Sequence, residues 1–138
     1  MIEFSSQNGF EINNEQSLVN WITDVISQED LELGDLSFVF CSDDFLYQMN
    51  IDYLEHDTLT DIITFDYRVG SLINGEVYIS TDRVADNAKD FEVSFKHELH
   101  RVVIHGVLHI CGYGDLTKEE EKLMRSKEDW ALSLLKEL

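Results

Sequence analysis

His105 and His109 stand four residues apart, and Asp115 follows six residues later, across Gly112-Tyr113-Gly114. In a helix, positions i and i+4 share a face with β-carbons about 5–6 Å apart, so two imidazoles placed this way reach one metal ion. A glycine three residues after the second histidine lets the chain leave the helix, and Asp115 then returns as a third ligand. Three protein ligands plus an open position is how a catalytic zinc site is built, because a water must bind there and be activated. One Zn2+ per chain is therefore the expected cofactor, and a set of two histidines and one carboxylate also suits other divalent ions. Glu119, in the next helix, is the fallback third ligand. Cys111 lies two residues after His109 and points away from a histidine face.

The ordinary reading of a histidine on an apolar face is a core residue with a satisfied hydrogen bond. Here Val102, Val103, Ile104, Val107, Leu108 and Ile110 make the helix apolar almost all round, which predicts that it is buried. Buried ring nitrogens need partners; a metal satisfies one nitrogen of each ring and a neighbouring acceptor holds the other. The pattern is related to the zinc-protease helix His-Glu-x-x-His, whose glutamate is the general base. Gly106 occupies that glutamate's place, so a peptidase of the usual kind lacks its base. The missing side chain also predicts open space beside the ion for a large substrate.

The elements that position these residues follow from periodicity and turn chemistry. Ile2-Glu3-Phe4 reads as a short strand, and Asn13 to Gln16 as a helix entry followed by Leu18, Val19, Ile22, Val25 and Ile26 at helical spacing. Leu36–Cys41 reads as a strand, and Ser42 with two acids as the cap of a helix turning Phe45, Leu46 and Met49 inward. Residues 61–67 and 76–79 read as two strands joined by a loop longer than a tight hairpin, with Asn74-Gly75 at the start of the second. Ser80-Thr81-Asp82 caps a helix to about Asp90, and Ser94 or Glu92 opens the histidine helix, which ends near Gly112. Thr117 and Glu120 match a capping box, and Leu123, Met124, Trp130, Leu134 and Leu135 are the apolar contacts of the closing helix. The expected architecture is α+β (α/β-like): residues 1–138 as one domain, a small mixed sheet of about four strands, about five flanking helices, and the metal site on a late buried helix.

Composition limits the partners. The net charge is −18, and all ten Lys and Arg lie from Arg68 onward. A nucleic-acid binder normally shows a basic face; this chain offers a local patch drawn from Arg68, Arg83, Lys89, Lys96 and Arg101. Tight binding to bare nucleic acid is disfavoured, and solubility explains at least part of the acidity. The start of the chain has neither a basic segment nor an apolar run of signal-peptide length, and no segment reaches a membrane span. The expected location is cytoplasmic, without membrane contact, and the two cysteines, Cys41 and Cys111, are expected to be unpaired.

His-Gly-x-Leu-His-x-x-Gly-Tyr, late in a chain of this size, resembles the YbeY family of rRNA maturation factors. The block from Asn50, Tyr53 and Asp57 through Thr60-Asp61-Ile62-Ile63-Thr64-Phe65 is similar to the family's segment ending Thr-Asp-Val-Leu-Ser-Phe, and Gly75–Ser80 is similar to its Gly-Asp-Ile-x-Ile-Ser strand. The resemblance implies a metal-dependent, single-strand-specific endoribonuclease acting in rRNA maturation, at the 3′ end of small-subunit rRNA, and in ribosome quality control. It implies rRNA and the small ribosomal subunit or its proteins as partners; a monomer is the default state. Under it, Thr60, Asp61, Glu76 and Tyr78 are candidate substrate-binding residues. Two departures stand out: Asp115 replaces the family's third histidine, and Leu54 replaces an arginine thought to contact phosphate, with His56 or Arg101 as candidate substitutes. The nucleophile is left open between a metal-activated water and the RNA 2′-hydroxyl. The competing readings are a non-catalytic ribosome-assembly factor with a structural metal, and a metal-dependent hydrolase of another class, such as a peptidase or small-molecule hydrolase.

Overall fold

The structure is a computed structural model that describes residues 1–54 and 60–135. Its elements run β1 (Ile2–Ser6), α1 (Glu15–Gln28), β2 (Glu32–Cys41), α2 (Asp43–Leu54), β3 (Ile62–Asp66), β4 (Leu72–Ser80), α3 (Thr81–Asp90), α4 (Phe95–Ile110) and α5 (Lys118–Leu134). The four strands form one mixed sheet in the order β1-β2-β4-β3. β1, β2 and β4 are mutually parallel, and β3 runs antiparallel to β4 on the edge. The α+β architecture expected from the sequence is the one observed.

Successive strand residues point to opposite faces, and the two faces of this sheet have different fates. Leu36, Phe38, Phe40, Val77 and Ile79 turn to the main core, which α1 and α4 close. Cys41, Ile63, Phe65 and Tyr78 turn the other way, into a small cluster under Leu46 and Met49 of α2. α4 occupies the middle of the molecule, packed on β3, β4, α1, α3 and α5. Val103, Ile104, Val107, Leu108 and Ile110 are fully buried, as the all-round apolar pattern predicts. Trp21, outside the predicted stripe of α1, is buried and donates from Nε1 to the Ala131 carbonyl at 2.8 Å, joining α1 to α5.

Several expectations need correction. The β3–β4 connection is tight: Val69 and Leu72 exchange both backbone hydrogen bonds, leaving Gly70-Ser71 as the turn. Asn74-Gly75 lies inside β4, where a β-carbon on Gly75 would stand 2.6 Å from both Ile110 Cδ1 and the Phe65 carbonyl oxygen. That glycine serves close packing beneath the end of α4. Phe45 and Leu123 face outward, while their neighbours Leu46 and Met124 are buried. The capping box of Thr117 and Glu120 is present, and Ser80 and Ser94 cap α3 and α4.

Candidate metal centre

Arg101, His105 and His109 follow one another at four-residue steps along α4, on the face turned to α5 and the loop that precedes it. Each imidazole is held at Nδ1. His105 Nδ1 lies 2.7 Å from Glu128 Oε2 of α5, and His109 Nδ1 lies 3.1 Å from the Tyr113 carbonyl oxygen. With Nδ1 occupied, Nε2 is the nitrogen each ring presents outward, and His105 Nε2 stands 3.4 Å from Asp115 Oδ2. Asp115 is therefore the carboxylate the fold brings to His105, whereas Glu119 is exposed on the first turn of α5.

Glu128 is the central support that the sequence reading missed. It is 6% exposed, accepts from Arg101 Nη1 at 2.8 Å through Oε1 and faces His105 through Oε2. Burial alone would raise its pKa, but the hydrogen bonds from His105 and Arg101 hold its carboxyl below the usual range. Burial likewise works against the charged form of His105, yet Glu128, Asp115 and Asp61 together keep its pKa above the ordinary value. A signal for Glu128 does exist: it is an acid on the inward stripe of Met124, Glu128 and Ala131, where a charge demands a partner.

Arg101 was a candidate for phosphate contact, but its guanidinium is committed, to Glu128 and to Asp129 at 2.8 Å each. Two more arginines of the expected basic patch are engaged in the same way. Arg68 donates to the Cys111 carbonyl at 2.9 Å and so caps the end of α4, and Arg83 pairs with Asp43 and Asp86. His56 falls outside the described residues; Leu54, at the end of α2, is exposed. Burial pushes the Cys111 thiol up to about 12, and its side chain packs against the main core.

Of the four substrate-binding candidates, the fold brings one into the same hollow as His105. Asp61 shares a cavity of about 210 Å³ with His105, Arg101 and Glu128. Burial raises its pKa, against the pull of His105. Thr60 spends its hydroxyl on the Ile62 carbonyl at 3.1 Å. Glu76 and Tyr78 hydrogen-bond each other on the opposite sheet face, away from α4, so the strand's alternation removes them from a shared cleft. Larger hollows of about 330 and 430 Å³ contain no histidine; the titratable side chains, not the volume, single out the smaller one.

Gly106 does not open a path for substrate. A β-carbon there would lie 2.9 Å from Val77 Cγ1 and 3.0 Å from Ile62 Cδ1. The position faces the sheet and lets α4 sit close upon it. The loop leaving α4 is secured separately: Gly112 has φ +115, as a helix exit favours. The Tyr113 phenol donates to Glu29, the C-cap of α1, and Lys127 donates to the other oxygen of that carboxylate at 2.9 Å.

As arranged, no three His, Cys, Asp or Glu side chains among the described residues are close enough together to hold an ion. The donor chemistry nevertheless fits a divalent cation: two imidazoles oriented through Nδ1, with a carboxylate facing the Nε2 of one of them.

The chain was compared with known proteins. Residues 2–136 match the family model described as Endoribonuclease YbeY. Proteins named Endoribonuclease YbeY are similar throughout: one from Flavobacterium johnsoniae is 48% identical over 97% of this chain and 96% of its own length, and one from Flavobacterium psychrophilum is 52% identical over the same shares. One from Christiangramia forsetii is 49% identical over 96% of this chain and 93% of its own length. The solution structure of TM1509 from Thermotoga maritima shares the fold, with a TM-score of 0.65 at 23% identity, covering 97% of this chain and 91% of that one.

Proposed function

This chain belongs to the Endoribonuclease YbeY family, and on that premise we propose that it cuts RNA phosphodiester bonds in rRNA maturation, with His105, His109 and Asp115 holding one divalent ion, zinc by the nature of the donors. The observation that carries the reading is the joint restraint of both histidines, His105 by Glu128 and His109 by the Tyr113 carbonyl. An imidazole held at Nδ1 is fixed in tautomer and orientation, which is what a metal ligand requires. Such an ion supplies Lewis acidity toward a phosphoryl oxygen and lowers the pKa of water toward about 7.

The chain's own groups do the rest. Glu128 holds the proton on His105 Nδ1 and keeps Nε2 free as a lone-pair donor. Arg101 neutralises Glu128 and fixes its rotamer. Asp61 and Asn87, hydrogen-bonded at 3.4 Å, form the polar wall beside His105. A peptidase reading fails on position 106, where the sheet leaves no room for a glutamate. Location in the cytoplasm and a ribosomal setting belong to this proposal; among the described residues, no helix is long and apolar enough to cross a membrane.

The test is metal content and RNA cleavage together. His105→Ala combined with His109→Ala should abolish both; stoichiometric metal in that double variant would sink the site. Asp115→Ala should weaken metal binding, and Asp115→His should preserve it. Ribosome binding by the wild type without any chelator-sensitive cleavage of rRNA would favour an assembly factor instead.

A further inference from the structure

The cavity beside His105 has features that cleavage itself does not use. Its lining also includes Phe91, Glu98 and Arg125. Phe91 caps α3 and is 58% exposed, so much of its ring stands in solvent. Glu92, with φ 56, turns the chain sharply after it. Ile62 and Val102 supply apolar wall, and Arg125 stands exposed on α5. This hollow of about 210 Å³ is large enough for one flat ring, and its lining combines an exposed aromatic side chain with carboxylate acceptors.

Resting on the endoribonuclease reading above, we infer that this hollow is a base subsite that seats one guanine of a single-stranded RNA next to the bond held at His105. Stacking on exposed aromatic rings and guanidinium planes is how unpaired bases are bound. The choice of base follows from the lining. Among the described residues, Glu128 is drawn to Arg101 and His105, and Asp61 accepts from Asn87. Glu98, 4% exposed, is the remaining wall carboxylate; burial raises its pKa, and the nearby charges of Arg101 and Arg125 favour its ionised form. A carboxylate accepts two hydrogen bonds side by side. Guanine alone among the four RNA bases offers adjacent ring N–H and amino donors on its pairing edge, so it alone matches both oxygens. On a chain of charge −18, such a subsite supplies selection where electrostatic attraction is absent.

The probes are the four free nucleosides, which carry neither charge nor a scissile bond, titrated into the full-length protein and followed by amide chemical shifts. Guanosine should bind about ten-fold or more tightly than uridine, with the largest shifts around residues 87–98. Phe91→Ala should weaken guanosine about ten-fold, the size of a lost stacking contact, and Phe91→Trp should restore it. Since Phe91 is exposed, its removal leaves the core intact, which a thermal melt verifies. Glu98→Gln should erase the preference for guanosine over adenosine. Absence of nucleoside binding at millimolar concentration, preference for another base, or an unchanged guanosine affinity in Phe91→Ala overturns the subsite. The two readings fail separately: RNA cleavage without guanosine binding removes the subsite alone, whereas guanosine binding without cleavage of any RNA removes the enzyme.

Discussion

At the scale of single residues, the site depends on groups that touch the histidines from behind. Glu128 is the sharpest case, because one carboxylate orients His105 and neutralises Arg101. Replacing Glu128 by Gln should lower divalent-metal affinity about 10- to 100-fold, the usual penalty for losing such a partner, measured by competition against a chromophoric chelator. It should also lower the melting temperature, since it leaves the Arg101 guanidinium poorly matched in a buried setting. Unaltered metal affinity would mean that His105 is oriented by something else. The two histidines were legible because their spacing is tied to helix geometry. Glu128 was not, since the contact joins positions 23 residues apart and only tertiary packing brings them together. Arg101 was legible as a residue but not in its role: charge in a sequence does not reveal whether it is already paired.

At the scale of elements, α4 has two opposed demands: chemistry on one side and close contact with the sheet on the other. Gly106 belongs to the second. Gly106→Ala should cost about 1–3 kcal/mol, the range for overpacking a tight core, because Val77 and Ile62 must give way. Chemical denaturation measures this directly; a stability equal to wild type would show that the sheet yields freely. The helices were largely readable because their caps are local, with Ser80, Ser94 and Thr117 each accepting from a backbone amide three residues on. The β3–β4 connection was read as too long because the second strand was begun only at Asn74-Gly75, whereas β4 starts at Leu72. Here Gly75 is chosen for the approach of Ile110, a contact the sequence does not advertise. The same alternation that placed Val77 under α4 carried Glu76 and Tyr78 to the other face, so a motif match in sequence did not translate into one shared cleft.

For the molecule as a whole, charge and burial set the response to solution conditions. The −18 charge repels RNA at long range, so modest added salt should strengthen RNA association through screening. A basic-faced binder does the opposite, and a steep loss of affinity with salt would refute this. Acid stability is governed in part by His100, which is 6% exposed and packs edge-on against Trp21. Burial, together with the charges of Lys96 and His97, lowers its pKa from 6.5 to about 4. Because the folded state favours the neutral ring, this contribution to stability is complete above 6.5 and is lost as pH falls through about 4. Urea midpoints taken across that window should fall more steeply in the wild type than in His100→Gln. Equal slopes would assign the acid sensitivity to other groups.

The carboxylate of Glu29 reaches 84 residues along the chain to the Tyr113 phenol and 98 residues to Lys127. It works as a latch, fastening the turn after the histidine helix to the first and last helices at once. For that turn to swing outward, the contact through Glu29 must break. If the two imidazoles hold an ion as proposed, its release should wait on a collective loosening of the molecule's outer helices, and Glu29→Gln should quicken it.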